Sequence, residues 1–570
     1  MVGTVDPRTG DGQGGIAPKR RGVRNLTLGL LAAFLAFAPA ACTRIGWAGA
    51  GVDTTRHPWT IPGTLRIAIS ASPKTLNPIL STTTNESIAE TFVLDPLVAT
   101  DPEGRDQPIL AATVPTLENG GISKDGLTIV YHLRKNVRWH DGAPFTSHDV
   151  AFTVAAIMNP DTPVSTRHGY DLIELPVATP DRYTVKFHLK HPFAPAVHTF
   201  FAHSDSPFMI LPAHLLERFK NLDRNPYNAA PIGTGPFKFV RWLRGDRIEY
   251  VANDDYFLGK PKLRHISLHF VQDENTIVNQ LRSHEMDWFV QPTPRVYPLL
   301  RTIPGIAIRL VPFNGYDAIQ FNVTKAPVND VRVRRAIGLA LDKQRLVDEI
   351  TFGTTTPATE DLPSFSWAFD PHAGTTKHDL PQAKALLEAA GWKAGPDGIR
   401  RRGAERLEIG LAYRADALTD RLRVAPIAAM LREAGISLEL KGYNTALLFA
   451  TPSEGGILSG GRFQAALVTW FSGVDPDNSS QVLCDQLPPT GWNWSRYCNA
   501  KMDEAQRTAL THYDIPTRKR AYGTIETLMA EDAPWAYLWW PRQIEAINDD
   551  LKGFRPPGLV ENWNAYEWSI

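Results

Sequence analysis

The sequence predicts an α/β protein, because strand-type and helix-type segments alternate along most of the chain. Thr64–Ile69 and Thr184–Leu189 alternate between apolar and polar residues and are rich in β-formers, as strands are. The segment from residue 315 to 350 begins as a strand and ends in a helix, Val331–Glu349. No internal repeat of 20–50 residues is visible, which argues against a solenoid or a propeller.

Local signals define the elements of the first half. Ser72–Pro78 breaks the first strand, and Asn85 is a suitable cap for a helix from about Glu86 to Leu94. Lys124–Gly126, between two apolar runs, indicates a hairpin turn. The remaining elements are a helix that opens at Thr146–Val150, a strand at Thr184–Leu189, a turn at Gly233–Phe237, and strands at Lys238–Val240 and Arg247–Tyr250.

The second half continues the mixture of strands and helices. A short helix at residues 381–390 is expected to stop at Gly391, which stands in the position of a C′ glycine. Further helices are expected near residues 420–434 and 500–531, and further strands at residues 405–412, 436–440 and 464–470.

The composition is that of a folded protein with balanced charge. Sixty Lys and Arg residues match sixty Asp and Glu residues, so the chain offers no basic field to a nucleic-acid backbone. Hydrophobic residues make up 43% of the 570 residues and charged residues 21%, which excludes a mainly disordered chain. This length implies several domains or one large two-lobed body.

Residues 1–41 predict a secretory signal, followed by a linker at residues 42–62. A basic cluster at residues 19–24 precedes the uncharged segment Leu26–Ala38. A basic region followed by about 7–15 apolar residues is typical of a signal sequence, whereas a membrane span needs roughly 20. The mature protein is therefore expected outside the cytoplasm, in the periplasm or at the cell surface.

The residues around Cys42 leave three alternatives open. Small residues before Cys42 resemble a bacterial lipoprotein box, which would place a lipid on this cysteine, although Pro39 stands where that box usually has Leu. Ala38 and Ala40 also fit ordinary signal cleavage. The third alternative is an uncleaved anchor helix.

Cys484 and Cys498 are expected to form a disulfide, because pairing is the default in an oxidising compartment. A loop of this size would stabilise the fold by about 3 kcal/mol in the chain-entropy model. The bond would fix the loop that carries Trp492 and Trp494. Two buried free thiols are the alternative, and a zinc site is not expected because no nearby ligands complete a set of four.

Motifs of catalysis and of cofactor binding are missing. The sequence has no G-x-S-x-G elbow and no Walker loop, and His284-Glu285 lacks the second His of a zinc protease. Asp475–Asn478 opens like a calcium loop, but Ser480 and Gln486 stand where Gly and Glu are required. We therefore expect no enzyme, cofactor or metal, although a secreted hydrolase with paired carboxylates stays an alternative.

Four segments stand out as a set. They are Leu133–Thr146 with Asp149-Val150; Gly233–Phe237; Phe321-Asn322 with Asp330–Ile337 and Ala340–Asp342; and Ala383–Trp392. In this order, behind a signal sequence, they resemble the extracytoplasmic solute-binding proteins of ABC importers, in the peptide/nickel-binding family (solute-binding protein family 5). The resemblance covers about residue 63 to the C-terminus. The segments themselves are expected to be structural, with Asp330, for example, as a helix cap.

The resemblance implies a two-lobed periplasmic-binding-protein clamp of α/β lobes that captures a small solute and delivers it to an ABC permease and its ATPase. It implies that the chain crosses between lobes near residues 314 and 533. The first lobe would consist of residues 63–95, 230–313 and 534–570, with an extra α/β domain at residues 96–229, and the second of residues 314–533. A monomer without a nucleic-acid partner is expected, and a receptor that serves no transporter is an alternative.

The resemblance also implies where the ligand lies. Its expected contacts are Thr82, Thr83, Thr84 and Asn85 after the first strand; Tyr316 and Asp317 at the lobe crossing; Trp367 in a loop; and Trp470, Phe471, Ser472 and Asp475 at a strand end. Aromatic walls suit this task because they bury a large area with little loss of entropy. For each ring, core packing is the alternative.

Arg414 lies where dipeptide-binding relatives hold the peptide carboxylate, and an internal salt bridge with Asp416 or Asp420 is its alternative. Peptide binders of this family often carry an Asp shortly after the Trp-containing strand, which pairs with the α-ammonium. Here Ser472 or Gly473 occupies that position. A peptide without an anchored amine is therefore the expected ligand; an oligosaccharide, an opine, a metal chelate or haem are alternatives.

Overall fold

In a computed structural model of the chain, two large mixed β-sheets organise residues 56–202, 208–373, 377–558 and 560–570, which are the residues the structure describes. All of them belong to one compact unit, Arg56–Ile570. The predicted signal sequence and Cys42 lie outside the described residues.

Residues 56–312 supply most of the first sheet and a smaller three-stranded sheet. The elements are β1 (Thr64–Ile69), α1 (Thr84–Glu90), β2 (Val98–Thr100), β3 (Asp106–Pro108), β4 (Thr128–His132), α2 (Ser147–Met158), β5 (Ala178–Asp181), β6 (Thr184–His188), α3 (Ala196–Thr199), α4 (Ala213–Leu216), β7 (Phe237–Leu243), β8 (Arg247–Ala252), β9 (His265–Phe270), α5 (Glu274–Arg282), β10 (Trp288–Val290), α6 (Tyr297–Leu300) and β11 (Ile306–Pro312). Single 3₁₀ turns lie at Tyr170–Leu172, Pro226–Ala229 and Pro294–Val296.

Residues 314–540 build the second sheet and its helices. The elements are β12 (Gly315–Phe321), α7 (Val331–Ala340), α8 (Lys343–Thr351), β13 (Thr356–Pro357), α9 (Leu380–Ala389), β14 (Arg401–Arg402), β15 (Glu405–Arg406), β16 (Glu408–Arg414), α10 (Leu418–Glu433), β17 (Ser437–Tyr443), α11 (Thr445–Phe449), β18 (Ala465–Phe471), α12 (Ser479–Val482), α13 (Ala500–Thr511), α14 (Ile515–Asp532) and β19 (Trp535–Trp540). The chain then returns to the first sheet through β20 (Arg542–Asn548) and ends after a 3₁₀ turn at Ala565–Glu567.

Both sheets mix parallel and antiparallel strands. The order of the first is β11-β20-β10-β1-β9-β8-β7, and that of the second is β13-β19-β12-β18-β16-β17. In the first sheet β1 runs parallel to β9 and β10, with Ile67 opposite both Leu268 and Trp288. In the second, β16 runs parallel to β17 and β18, whereas β12 is antiparallel to β18 and β19.

One hydrophobic core serves the first sheet and the three-stranded sheet β4-β6-β5. It joins Ile67 and Trp288 of the first sheet to Tyr131 of β4, Phe187 of β6 and Trp568 near the C-terminus. Because these side chains share one core, residues 96–229 pack on the first sheet as part of the same body. We call residues 56–312 and 542–570 the first lobe.

The second sheet has a core on each of its faces. Alternate side chains of β12 point to opposite faces: Ile319 and Phe321 belong to one buried cluster, whereas Tyr316 and Ala318 belong to the other. Neither cluster includes a residue of the first lobe among the described residues. We call residues 314–540 the second lobe.

The chain crosses between the lobes at Phe313 and again at Pro541. The second crossing comes later than residue 533, because Trp535–Trp540 forms a strand that pairs with β12 in the middle of the second sheet. All six residues of this strand are buried. Residues 534–540 therefore pack with the second sheet, whereas the resemblance implied a crossing near residue 533.

Several predicted helices have different limits in the structure. The helix near residue 86 begins at Thr84, and its N-cap is Thr83 rather than Asn85. The segment Val331–Glu349 divides into α7 and α8, because the side chain of Asp342 caps a new helix. Residues 500–531 likewise divide into α13 and α14, where Asp514 is the cap and a proline follows it in the first turn.

Candidate functional site

Three parallel strands of the second sheet end at the same edge. β16, β17 and β18 finish at Arg414, Tyr443 and Phe471. Phe471 pairs with Gly315, and its ring meets that of Phe313 at a centroid distance of 5.1 Å. Phe313 is a crossing residue, so this edge adjoins the junction of the two lobes. Ligands of open α/β sheets bind outside the carboxyl ends of parallel strands.

Five aromatic side chains lie at or beside the ends of these strands, and we call them the aromatic edge. Trp470 contacts Trp492 and Trp494, and Trp494 contacts Phe449, whereas Phe471 follows Trp470 in β18, points to the opposite face and contacts Phe313. The ring of Trp470 lies 5.1 Å from that of Trp492 and 6.0 Å from that of Trp494, which in turn lies 5.5 Å from Phe449. Phe471 is 56% exposed, Trp492 44% and Phe449 40%. Large apolar side chains with so much exposure, close together, are typical of a surface that binds something.

A disulfide fixes the loop that carries Trp492 and Trp494. Cys484 and Cys498 are joined, with their Cα atoms 4.6 Å apart, as the sequence predicted. Inside the loop, the buried amide of Asn493 donates to the carbonyl oxygens of Leu483 and Tyr497 at 3.0 and 2.7 Å. Because both ends and the middle of the loop are held, the two rings have a defined position.

Arg414 forms a salt bridge within the second lobe. Its guanidinium donates to both carboxylate oxygens of Asp420, at 3.0 and 2.7 Å. Although burial acts in the opposite direction, the hydrogen bond from Arg414 and the charges of Arg423 and Arg414 hold the pKa of Asp420 below its usual value. Of the two sequence interpretations of Arg414, the internal salt bridge with Asp420 is the one the structure contains.

Asp317 also has its partners within the second lobe. Arg423 donates to its carboxylate, and the Thr469 hydroxyl donates to the same oxygen at 2.6 Å. Arg423 donates in addition to Asp420 at 2.6 Å. Asp317, Asp420 and Arg423 are buried, so the group forms an internal network of the second lobe.

Asp475 takes part in a buried ion pair. Arg518 donates to both of its oxygens, at 2.7 and 2.6 Å, and His198 of the first lobe lies 3.8 Å away. Burial alone would raise the pKa of Asp475, but Arg518 and His198 hold it well below its usual range. The carboxylate of Asp475, one of the expected ligand contacts, is thus already paired.

The segment Thr82–Asn85 opens helix α1. The Thr83 side chain caps the helix, and the Glu86 carboxylate accepts from the backbone N–H groups of Thr82 and Thr83 at 2.8 and 3.0 Å. Thr84 is the first helical residue. Among the residues described, no hydrogen bond or ring contact joins this segment to Trp470, Phe471 or Trp367, so its ligand contact stays a prediction.

Tyr316, Trp367 and Ser472 have their contacts within the second lobe or at the crossing. Tyr316 is buried and donates to Gln481 at 2.7 Å. Trp367 is half-buried, edge-on to Tyr522 and beneath the guanidinium of Arg518 at 5.1 Å. The N–H of Ser472 donates to the carbonyl of Asn314 at 2.9 Å, which ties the end of β18 to the crossing.

One group of potential metal ligands was not foreseen. His57, Asp549 and Asp550 bring ligand atoms within 4.8 Å of one another in the first lobe. Direct contacts hold these residues together. The His57 ring pairs with Asp549 at 2.6 Å, and the Asp550 carboxylate accepts from the backbone N–H of His57 and from the Thr60 hydroxyl. His57 lies 492 positions before Asp549 and its neighbour Asp550, so no local spacing could have indicated the group.

Phe449 and Phe313 were not among the predicted contacts. Phe449 ends the short helix α11, and Phe313 lies at the crossing itself. A lone phenylalanine in a short segment gives no signal that separates a binding role from core packing. Trp492 and Trp494 were expected only as residues of the bridged loop and were not among the predicted contacts either.

A family model described as bacterial extracellular solute-binding proteins, family 5 Middle, matches residues 96–487. This match spans more than half of the chain.

The chain belongs to this family.

Family 5 members are the extracytoplasmic solute-binding proteins of ABC importers, which capture a solute and deliver it to a permease driven by an ATPase. Protein XP55 of Streptomyces lividans is 28% identical over 539 residues, 94% of this chain and 93% of that protein. The oligopeptide-binding protein AppA of Bacillus subtilis is 26% identical over 518 residues, 89% of this chain and 91% of that protein.

Solved structures of family members share the two-lobed fold. NikZ from Campylobacter jejuni, in complex with Ni(L-His), superposes with a TM-score of 0.74 at 26% identity, covering 90% of this chain and all of that one. AppA from Bacillus subtilis, in complex with a nonapeptide, superposes with a TM-score of 0.72 at 24% identity. The superposition covers 89% of this chain and 98% of that one, and at this identity it shows a shared fold. In the part of this chain that the structure describes, no helix combines the length and the apolar character needed to span a membrane.

Proposed function

We propose that this solute-binding protein captures a peptide between its lobes and that it catalyses no reaction. The observation that carries the proposal is the aromatic edge, which is exposed beside the lobe junction while the charged candidates near it are already paired. The oligopeptide-binding AppA of Bacillus subtilis is similar over most of both chains. Rings of this kind bind apolar side chains and peptide planes with little loss of conformational entropy.

The peptide is held without an ionic anchor for its termini. Arg414 pairs with Asp420, Asp317 with Arg423, and Asp475 with Arg518. Breaking a buried pair leaves an uncompensated charge, which costs several kcal/mol and would offset much of a new contact with the ligand. The same site therefore accepts peptides whose amine or carboxylate is blocked.

The two lobes act as a clamp with two crossing segments. The first lobe comprises residues 63–95, 230–313 and 542–570 with the extra domain at residues 96–229, and the second lobe comprises residues 314–540. On closure, Thr82–Asn85 of the first lobe approach the aromatic edge of the second. Ligands buried at such interfaces exclude water, and a few polar groups then fix their orientation.

Calorimetry with matched peptides tests the ligand class. A tetrapeptide rich in Phe and Leu is compared with its N-acetylated and C-amidated form, and with a Ser- and Gly-rich peptide of equal length. We expect the free and blocked Phe-rich peptides to bind with similar affinity, and the Ser-rich peptide to bind more weakly. Native mass spectrometry of the purified protein identifies any ligand that is already bound.

Two results would contradict this proposal in different ways. Strong binding of the free peptide that acetylation abolishes would show that an acidic anchor for the amine exists. The ligand would then still be a peptide, but the proposed binding without an ionic anchor would be wrong. A co-purified oligosaccharide, opine, metal chelate or haem, with no affinity for any peptide of the set, would replace the peptide as the ligand.

Cys42 is proposed as a lipid anchor that keeps the protein at the membrane surface. Small residues precede this cysteine at the end of the predicted signal. The Cys42→Ser variant is expected to move from the membrane fraction to the soluble extracytoplasmic fraction, and the mature wild-type protein is expected to begin at a lipid-modified Cys42. An unmodified N-terminus at Ala41 would indicate ordinary cleavage instead.

A further inference from the structure

The hydrogen bonds and ion pairs that join the two lobes form two separate groups within the described ranges. The first group is at the crossings, where Arg542 of the first lobe donates to the carbonyl oxygens of Gly353 and Thr354, each at 2.9 Å. The second group joins the extra domain to residues 475–513 of the second lobe. We call this second group the latch.

Tyr513 is the centre of the latch. It lies between α13 and α14, and its hydroxyl is 3.0 Å from the carbonyl oxygens of both Gly126 and Phe193. The N–H of Phe193 donates back to the same hydroxyl at 3.3 Å. One side chain of the second lobe thus contacts two separate loops of the extra domain.

Two backbone and side-chain contacts extend the latch on the same side. The N–H of Ala194 donates to the carbonyl of Leu510 at 2.6 Å, and the Leu510 side chain packs against the core of the first lobe. This contact combines a short hydrogen bond with apolar burial, so it holds α13 against the extra domain.

Charged groups form the other part of the latch. His198 of the extra domain lies between two carboxylates, 2.9 Å from Asp106 of its own domain and 3.8 Å from Asp475 of the second lobe. His168 lies 3.5 Å from Asp477. Each imidazole, when protonated, attracts a carboxylate of the opposite lobe.

The latch joins two bodies that otherwise have separate cores. The extra domain shares one hydrophobic core with the first sheet, whereas the two cores of the second lobe contain only second-lobe residues in the described chain. Rotation of the lobes about the crossings must therefore break the latch, which consists of a few polar contacts and one leucine. We propose that the latch is a conformational device in which the extra domain holds the second lobe in its observed position and sets how often the lobes move apart.

Gly126 offers a steric way to disturb the latch. Its φ is +70°, and a Cβ at this position would lie 2.5 Å from Cε2 of Tyr513, which is closer than real contacts allow. Gly120, in the same domain, has φ +71° and no atom within 4 Å of such a Cβ. Gly120→Ala and Gly126→Ala therefore carry similar backbone strain, and only the second change collides with the latch.

Small-angle X-ray scattering of the ligand-free full chain measures how open the lobes are. We expect a larger radius of gyration for Gly126→Ala than for Gly120→Ala, and the same value for Gly120→Ala and the wild type. Tyr513→Phe removes the hydroxyl and is expected to give an intermediate value. Hydrogen exchange at the Ala194 amide, whose acceptor lies in the second lobe, should be faster in Gly126→Ala and in Tyr513→Phe than in the wild type.

The proposal is overturned if both variants keep the wild-type radius and the wild-type exchange rate at Ala194. If Gly126→Ala does not fold, the Tyr513→Phe variant decides by the same two measurements. No ligand is used in this experiment, so its failure leaves the proposed peptide binding untouched, and an absence of peptide binding in calorimetry says nothing against the latch.

Discussion

Trp470 lies between the core of the second lobe and the exposed rings of the aromatic edge. It packs against a buried cluster, and Trp492 and Trp494 contact it from the disulfide loop at 5.1 and 6.0 Å. Its ring is therefore fixed before a ligand arrives. A surface that is ordered in advance loses less entropy on binding, which is why such rings dominate the energetics of many interfaces.

Replacing Trp470 by Ala is expected to weaken ligand binding by about 1–3 kcal/mol, because the substitution removes a large apolar contact. Trp492→Ala should have an effect in the same direction. Calorimetry with the blocked Phe-rich peptide provides the measurement.

Trp242→Ala is the matched control, since this half-buried ring lies on β7, the outermost strand of the first sheet, and packs against Arg244. It should alter stability without altering affinity. If Trp470→Ala binds the peptide as tightly as the wild type, Trp470 belongs to the core alone.

The charged side chains of the site could be identified from the sequence but their partners could not. Arg414 has acidic residues two and six positions further on, and the sequence cannot show which of them its guanidinium reaches. Asp317 pairs with a residue 106 positions away. Such contacts depend on how strands and helices pack, and local patterns carry no information about them.

At the level of elements, the sequence predicted several strands and helices but also missed some, among them β9 (His265–Phe270), although its residues alternate between polar and apolar. The strands of the second sheet near residues 408, 437 and 465 were placed within a few residues. Trp535–Trp540 was missed as a strand, because a run of six apolar residues has no alternation to reveal it. The breaks at Asp342 and Asp514 carried a usable signal, since Asp is a preferred N-cap.

The disulfide is the element whose removal is easiest to interpret. The double variant Cys484→Ser and Cys498→Ser is expected to lose about 3 kcal/mol of unfolding free energy, because the loop gains freedom in the unfolded chain. It should also bind the blocked peptide more weakly, since Trp492 and Trp494 lose their fixed position. Urea unfolding followed by circular dichroism measures the first effect, and calorimetry the second.

A decrease in stability without any change in affinity would show that the loop keeps its rings in place through Asn493 alone. Wild-type protein treated with dithiothreitol supplies the control, because it has reduced cysteines at the same positions. It should behave as the double variant does in both measurements.

At the scale of the whole molecule, stability depends on several carboxyl groups that are buried without cationic partners among the residues the structure describes. Glu360, Asp361 and Glu526 lie together in the second lobe, and burial raises the pKa of each, with that of Glu360 at about 8. A raised pKa in the folded state means that the protonated form is favoured there. The stability that this group contributes is therefore complete below about pH 4.5 and is lost as the pH rises through about 8.

The Glu526→Gln variant should show this effect as a difference from the wild type. Gln imitates the protonated carboxyl group, so the variant is expected to gain melting temperature relative to the wild type as the pH is raised from 6 to 9. Glu531→Gln, an exposed position on the same helix, should give a difference that does not change with pH. Thermal unfolding at four pH values provides the measurement. If the difference in melting temperature between Glu526→Gln and the wild type does not change with pH, the raised pKa of Glu526 is contradicted.

The return of the chain through Pro541 has a consequence for the order of events during export. β19 lies between β13 and β12, and β20 lies between β11 and β10, so each sheet receives an interior strand from the last part of the chain. Neither sheet can be completed until residues 535–548 have left the translocation channel. Both large sheets therefore stay incomplete until the last part of the chain is available; a chain that stops at residue 534 should show no cooperative melting in either lobe.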